Sequence, residues 1–345
     1  MQCPRLDHFA RIIPGKQSKS TLITNCCVMI NAPVFSTYEQ MMQSRWLKSA
    51  KLKFQNDQFP KECVRCQDQE RVGIHSDRMF WLKEHEKLQS VKSDYLTVSL
   101  KLDNICNTAC QFCQPNTSSK IASLNGHTIK IHETGNFYDV LPTDRITQID
   151  FEGGEPSNSK NVSEVLQNLP KNVKDIKIYT NGRSFMKELP AIVQKGIRVQ
   201  LSISLDGVGK VQEYVRWPTK WSEYHETVYE YKKLTEEHPT LVSVNFFTTI
   251  CTLNINDLEN IINYADQCQI PLALSKLSVP ETLNITKSNK FTTRARDLFQ
   301  HSENEYLRRI SQDTAINADN STEIEQFISS QDKLRSIDIK DFIDL

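Results

Sequence analysis

From residue 96 onward the chain alternates strand-like and helix-like segments, and few sequence patterns restrict a fold more. Leu96–Leu102 and Ile146–Phe151 alternate apolar and polar residues; Val173–Tyr179, Val199–Leu205 and Leu241–Ile250 are β-branched or aromatic runs, and Pro271–Val279 makes a sixth. Helical patterns fill the intervals over Lys160–Leu169, Ser184–Lys195, Ser222–Glu237 and Leu258–Gln267. Strands separated by helices pair in parallel, because a parallel pair needs a long crossover. The expectation is therefore an α/β fold: six β/α units forming a sheet with helices outside, open or curled as a partial, TIM-like barrel. Its chemistry should lie at the carboxyl ends of the strands.

Glycine placement points to the same rim. Of ten glycines, five (Gly153, Gly154, Gly182, Gly207 and Gly209) fall just after three successive strands. There they serve either as tight turns or as places where backbone approaches a ligand closely.

Residues 1–95 break the β/α rhythm. They hold a short strand-like piece, Thr21–Thr24, a helical pattern over Tyr38–Lys53, a Cys63-Val64-Arg65-Cys66 knuckle and a helix around Asp77–Gln89. Beyond the β/α region, Lys290–Arg309 reads as an amphipathic helix, Asp313–Ser321 as a polar loop and Thr322–Leu334 as a final helix. The division expected is 1–90, 91–290 and 291–345.

Formal net charge is zero, with 38% hydrophobic and 24% charged residues, so nothing global draws the chain to nucleic acid or to an anionic membrane. The mildly basic start (15 Lys and Arg against 10 Asp and Glu in residues 1–95) reads as solvated surface. No apolar run approaches membrane-spanning length. The start Met1-Gln2-Cys3-Pro4-Arg5 lacks the apolar core of a signal peptide, so ten cysteines are expected to be reduced thiols or metal ligands in a cytoplasmic protein.

Cys106, Cys110 and Cys113 follow the first strand at C-x3-C-x2-C spacing. Structural zinc and ordinary iron–sulfur clusters each take four protein ligands, so three thiolates are either part of a zinc site completed from elsewhere or a cubane with one open iron. Phe151-Glu152-Gly153-Gly154-Glu155-Pro156 ends the second strand and offers backbone polar groups and the Glu155 carboxylate. Thr180-Asn181-Gly182 ends the third. Ser202-Ile203-Ser204-Leu205-Asp206-Gly207 ends the fourth, with Arg216 following, whose guanidinium can fork onto a carboxylate. Cys251 and Cys268 have no partner nearby in sequence and read as small buried hydrophobes.

Taken in order, each at a strand end, these motifs resemble the radical S-adenosylmethionine (SAM) superfamily over roughly residues 96–290. The resemblance implies that Cys106, Cys110 and Cys113 ligate a [4Fe–4S] cluster whose fourth iron binds the amino and carboxylate groups of SAM. It places Phe112 beside the adenine, Gly153, Gly154, Glu155 and Pro156 along the methionine end, and Ser204 and Arg216 in contact with SAM, with Asn181 and Asp206 as further candidates. The implied activity is reductive cleavage of SAM to a 5′-deoxyadenosyl radical that takes hydrogen from a substrate, with an electron donor such as flavodoxin or ferredoxin.

The amino-terminal cysteines resemble a twitch-type auxiliary module, placed here before the barrel. That likeness implies a second [4Fe–4S] cluster on Cys3, Cys26, Cys63 and Cys66, with Cys27 as the alternative to Cys26, and zinc as the competing metal. Relatives with such modules often modify peptides or proteins. Two other readings stay open: a SAM-dependent enzyme acting on nucleic acid or a nucleotide-like molecule, and a non-catalytic, zinc-containing binding protein.

Overall fold

The computed structural model describes residues 1–15, 20–71, 73, 75–91, 94–126, 137–287, 289–303, 305–313 and 319–343. The chain divides into two compact units. The first comprises Met1–Asn104, Ile131–Ile178 and Glu188–Val199; the second comprises Ile105–Lys130, Tyr179–Lys187 and Gln200–Leu345.

Among the described residues there are eight strands: β1 (Phe9–Pro14), β2 (Thr21–Thr24), β3 (Leu96–Lys101), β4 (Ile146–Glu152), β5 (Asp175–Thr180), β6 (Arg198–Ser204), β7 (Val242–Ile250) and β8 (Leu272–Lys276). In the first unit they run in the order β2-β1-β3-β4-β5. The pairs β1–β3, β3–β4 and β4–β5 are parallel, and the β1–β2 pair is antiparallel. In the second unit the order is β6-β7-β8, with β7 and β8 parallel. The α/β expectation holds, and all six expected strands form. β1 is an addition, and through it the amino-terminal segment joins the sheet.

The first unit's sheet has an apolar face. Ala10, Ile12, Val98, Leu100, Ile149, Phe151, Ile176 and Ile178 share one side by register and are all buried. A satellite core of Leu6, Leu47, Ala50 and Phe54 holds the amino-terminal helices, with Met1, Cys3 and Cys63 packed against it.

In the second unit, helix Trp221–Glu237 buries Tyr224, Val228, Tyr231 and Leu234, the stripe that a 3.6-residue period produces. Helix Leu258–Cys268 buries Leu258, Ile261, Tyr264 and Ala265 in the same way and ends at Gln269 in the left-handed conformation. The C-terminal helix Ser321–Arg335 buries Ile324, Ile328, Asp332 and Arg335. Its isoleucines join a core with Tyr214, Val215, Cys251 and Leu283.

Two expected helices are each split. Tyr38–Lys53 becomes Tyr38–Gln43 and Arg45–Gln55, because Ser44 is extended and its hydroxyl caps the second helix at the Leu47 N–H. Lys290–Arg309 becomes Asn289–Phe299 and Glu305–Asp313. The loop expected over Asp313–Ser321 lies largely outside the described residues.

Candidate functional site

The cysteine loop belongs to the second unit and is locked at nearly every residue. The backbone N–H of Ala109 donates to the Trp217 carbonyl (2.6 Å) and that of Gln111 to the Val215 carbonyl (2.9 Å). The Gln111 side chain reaches the Tyr214 carbonyl. Ser118 donates to the Thr108 carbonyl (2.7 Å) and also caps the following helix, Ser119–Leu124. Cys106 is half-buried, Cys110 is buried and Cys113 is exposed, and all three are free thiols. The Thr108 hydroxyl stands 3.2 Å from the Cys106 sulfur and 3.5 Å from that of Cys110.

Arg216 is buried with its Nη1 3.8 Å from the Cys110 sulfur and its Nε 2.6 Å from Asp206. Asp206 is fully buried; its second oxygen accepts from the Thr249 N–H (2.6 Å). Burial raises the Asp206 carboxyl even though Arg216 opposes the shift. Asp206 thus holds the arginine in place. Breaking such a buried pair from one side leaves an uncompensated charge. The Cys110 thiol is held below its usual range, first by hydrogen bonding with Cys113 and then by Arg216 and Thr108. A thiolate is the form a metal takes.

The Arg216 guanidinium also lies 5.8 Å from the Phe112 ring centroid. Asn181 donates to Asn107 (2.7 Å) and accepts from the Arg183 N–H (3.0 Å), so it shapes the loop from the end of β5. Ser204 contributes its carbonyl to Tyr224 and Gln212, and its side chain is half-buried.

In the first unit, the turn after β4 carries Gly153 to Pro156. Gly153 has φ of 131°, and a Cβ there would meet the Asp103 carbonyl at 2.9 Å. The turn requires glycine on both counts. Glu155 is buried and caps the short turn Pro156–Asn158 by accepting from the Ser157 N–H and hydroxyl.

Also within the first unit, Cys3, Cys26, Cys63 and Cys66 line a single pocket with Arg5, Asp77 and Arg78. Cys27 does not line it. Arg5 donates to the sulfurs of Cys26 (3.3 Å) and Cys27 (3.0 Å) and pairs with Asp77 (3.1 Å). Its guanidinium lies 4.3 Å from the Phe9 ring centroid and 4.8 Å from that of Trp81. Burial pushes the Cys3 thiol up to about 11 and the Cys63 thiol up to about 12. The Cys26 thiol is lowered, by Cys27 first and then by Arg5. Among the described residues, no three His, Cys, Asp or Glu side chains are grouped to hold one metal ion. A cubane takes one thiolate per iron and does not need its ligands to meet at a single point, as a tetrahedral zinc does.

A second feature of this unit, outside the expected residues, is the opposite face of its sheet. By register, Arg11, Thr97, Ser99, Gln148, Asp150, Glu152 and Lys177 share one side, and Thr97, Ser99 and Asp150 are buried there. Arg11 forks onto Glu152 (2.6 and 3.0 Å), and Ser99 donates to the same carboxylate. Gln148 donates to Asp150 (2.7 Å). The Thr97 hydroxyl, the Thr24 hydroxyl and the Asn25 side-chain oxygen are buried with no hydrogen-bond partner among the described residues. A parallel sheet normally buries apolar residues on both faces, and buried polar groups are normally paired. This face therefore has the composition of a polar ligand site.

Residues 100–265 match the family model for the Radical SAM superfamily. The chain carries a radical SAM domain. It is 25% identical over 169 residues to a probable GTP 3′,8-cyclase of Methanocaldococcus jannaschii, covering 49% of this chain and 54% of that protein. It is 30% identical over 114 residues to the mitochondrial GTP 3′,8-cyclase of Arabidopsis thaliana, covering 32% and 28%. The chain thus spans about half, or less, of the length of these relatives. Among solved structures it is similar to native anSMEcpe with bound AdoMet (TM-score 0.43, 14% identity, 62% of each chain). It is also similar to Streptococcus suis SuiB bound to S-adenosylmethionine (TM-score 0.39, 11% identity, 84% of this chain and 68% of that one).

A radical SAM domain implies a [4Fe–4S] cluster and SAM. The donor set fits: three free thiols share one fixed loop, a threonine hydroxyl bonds two of the sulfurs, and a buried guanidinium stands beside the innermost. No helix among the described residues is long and apolar enough to cross a membrane.

Proposed function

We propose that this protein is a radical SAM enzyme. The observation that carries the reading is the cysteine loop, with the Arg216 guanidinium fixed beside Cys110 by the buried Asp206. Cys106, Cys110 and Cys113 would hold the cluster, which when bound and reduced would supply the electron for reductive cleavage of SAM and so for hydrogen abstraction from a substrate. The protein's own residues bind and orient. Arg216 is the donor for the SAM carboxylate, Phe112 gives the adenine a face, and Gly153–Pro156 present backbone groups and Glu155 to the methionine end. Thr108 and the loop's locked amides hold the thiols in register. Ser204 is a further SAM contact, while Asn181 and Asp206 act through the residues they position.

The pocket lined by Cys3, Cys26, Cys63 and Cys66 is the place for a second [4Fe–4S] cluster, in a twitch-like amino-terminal module. The lining supports Cys26 over Cys27 as the fourth ligand. The polar sheet face of the first unit suits a substrate rich in hydrogen-bonding groups. An auxiliary cluster supports a peptide or protein substrate. The cyclase relatives favour a second reading, a purine nucleotide, with GTP as the compound to try.

The deciding experiment is anaerobic incubation of the iron-loaded protein with SAM and dithionite or reduced flavodoxin. Formation of 5′-deoxyadenosine that is lost in Cys106→Ala is the expected result. Iron-free protein, or product undiminished by Cys106→Ala, would reject the enzymatic reading. Repeating the assay with GTP and with a peptide library, following loss of either by mass spectrometry, separates the two substrate classes.

A further inference from the structure

The C-terminal helix Ser321–Arg335 lies beyond the matched segment, which ends at residue 265. Its last residue nevertheless reaches the cysteine loop. Arg335, 4% exposed, donates from Nε to the Ala109 carbonyl (3.0 Å) and from Nη2 to the carbonyls of Ala109 (2.9 Å) and Cys110 (3.3 Å). Its remaining nitrogen is turned back on the helix, onto the carbonyl and side-chain oxygen of Gln331 (3.0 and 2.8 Å). Such a planar fork, braced by its own helix, is a rigid donor that lysine cannot reproduce.

The loop is therefore gripped from two directions. Its N–H groups at 109 and 111 are taken by carbonyls at 217 and 215, while its carbonyls at 109 and 110 are taken by Arg335. A second tie from the same helix, Asp332 accepting from the Tyr214 hydroxyl (2.7 Å) and the Ile339 N–H (2.9 Å), fixes the segment next to Val215. The grip also brings a second buried cation to Cys110, alongside Arg216.

We infer that Arg335 is a positioning residue for the cluster loop, holding the Ala109–Cys110 backbone and adding positive charge beside the cluster. This rests on Cys106, Cys110 and Cys113 being cluster ligands. Buried positive charge favours the more reduced, more negative cluster, so removing it makes reduction harder.

Arg335→Gln, Arg335→Lys and Asp332→Asn, each in the full chain and reconstituted anaerobically, test the inference by iron content, thermal melting, the electron paramagnetic resonance signal with and without SAM, and the cluster midpoint potential. Arg335→Gln should lose about half its iron, from about eight to about four atoms per chain. The remaining signal should no longer respond to SAM, and residual loop cluster should reduce at a lower potential. Arg335→Lys keeps the charge and should recover the potential with partial iron loading. Asp332→Asn should melt earlier but load normally.

A folded Arg335→Gln with native iron, an unchanged response to SAM and an unchanged potential overturns the inference. So does an Asp332→Asn that loses iron to the same extent, since helix packing would then be the cause. Should Arg335→Gln fail to fold, Arg335→Lys still decides: a native potential with partial iron loading upholds the inference, and full iron loading or a lowered potential refutes it. Iron-free native protein overturns the enzymatic reading as well, whereas iron-loaded native protein with an indifferent Arg335→Gln overturns this inference alone.

Discussion

Asp150 sits 7% exposed on the polar face of the first unit's sheet, and its carboxyl is pushed up to about 6. Burial is the largest cause; the Gln148 hydrogen bond, Lys177 and Arg5 pull it down, and Glu152 adds to the rise. An aspartate raised from about 3.9 when unfolded binds its proton more tightly in the folded state. Stability is then greatest with the group protonated, and falls as pH rises from about 4 to about 6, by up to roughly 3 kcal/mol. Asp150→Asn removes that penalty. The metal-free variant should melt higher than the native protein at pH 7.5 and equally at pH 4, while substrate turnover falls. A native protein that melts higher at pH 7.5 refutes this assignment. Burial raises Asp206 too, but its charge is paired with Arg216. Asp206→Asn leaves Arg216 buried without its partner and should cost about 3–5 kcal/mol in denaturant unfolding, with weaker SAM binding by calorimetry. The pairing of Asp206 with Arg216 was within reach of the sequence, being ten residues apart. Arg5 and Arg335 were not, since each gains meaning only through sulfurs or carbonyls 21 to 226 positions away.

Strands and helices were legible where the pattern is local. The apolar side of β3 and β4 is written in Val98, Leu100, Ile149 and Phe151, and those strands form where alternation places them. β1 escaped because Phe9–Pro14 is short, ends in proline and becomes a strand by pairing with β3 some ninety positions later. The polar side of the alternation was misleading in a different way. Alternation looks the same whether polar residues face water or are buried, and Thr97 at 0% exposure shows which applies here. The turn after β4 was legible as a glycine pair, though its stereochemical demand was not. With φ at 131° and the Asp103 carbonyl 2.9 Å from any Cβ, Gly153→Ala should strain the turn. A loss of about 1–3 kcal/mol in urea unfolding is expected, with SAM affinity falling in parallel. An unstrained, fully stable Gly153→Ala would mean that the turn relaxes freely and that its glycine serves no close approach.

At the scale of the whole molecule, the two cysteine groups fall in different compact units: Cys3, Cys26, Cys63 and Cys66 in the first, Cys106, Cys110 and Cys113 in the second. No thiol is shared, and each group has its own buried arginine against its sulfurs, Arg5 in one and Arg216 in the other. Loss of one metal group should therefore leave the other loaded. Native protein should carry about eight irons and little zinc, and Cys106→Ala and Cys63→Ser about four each. The adjacent pair discriminates further. Cys26 lines the pocket and its thiol is lowered by Cys27 and then Arg5, whereas Cys27 is exposed, outside the lining, and raised by its hydrogen bond to Cys26. The pocket lining separates the two, so Cys27→Ser should keep about eight irons while Cys26→Ser falls to about four. The reverse result would make Cys27 the ligand, and equal loss in both would mean that the pair acts together. Full loading with zinc in the first unit and iron in the second would refute the second cluster and leave the radical SAM site intact.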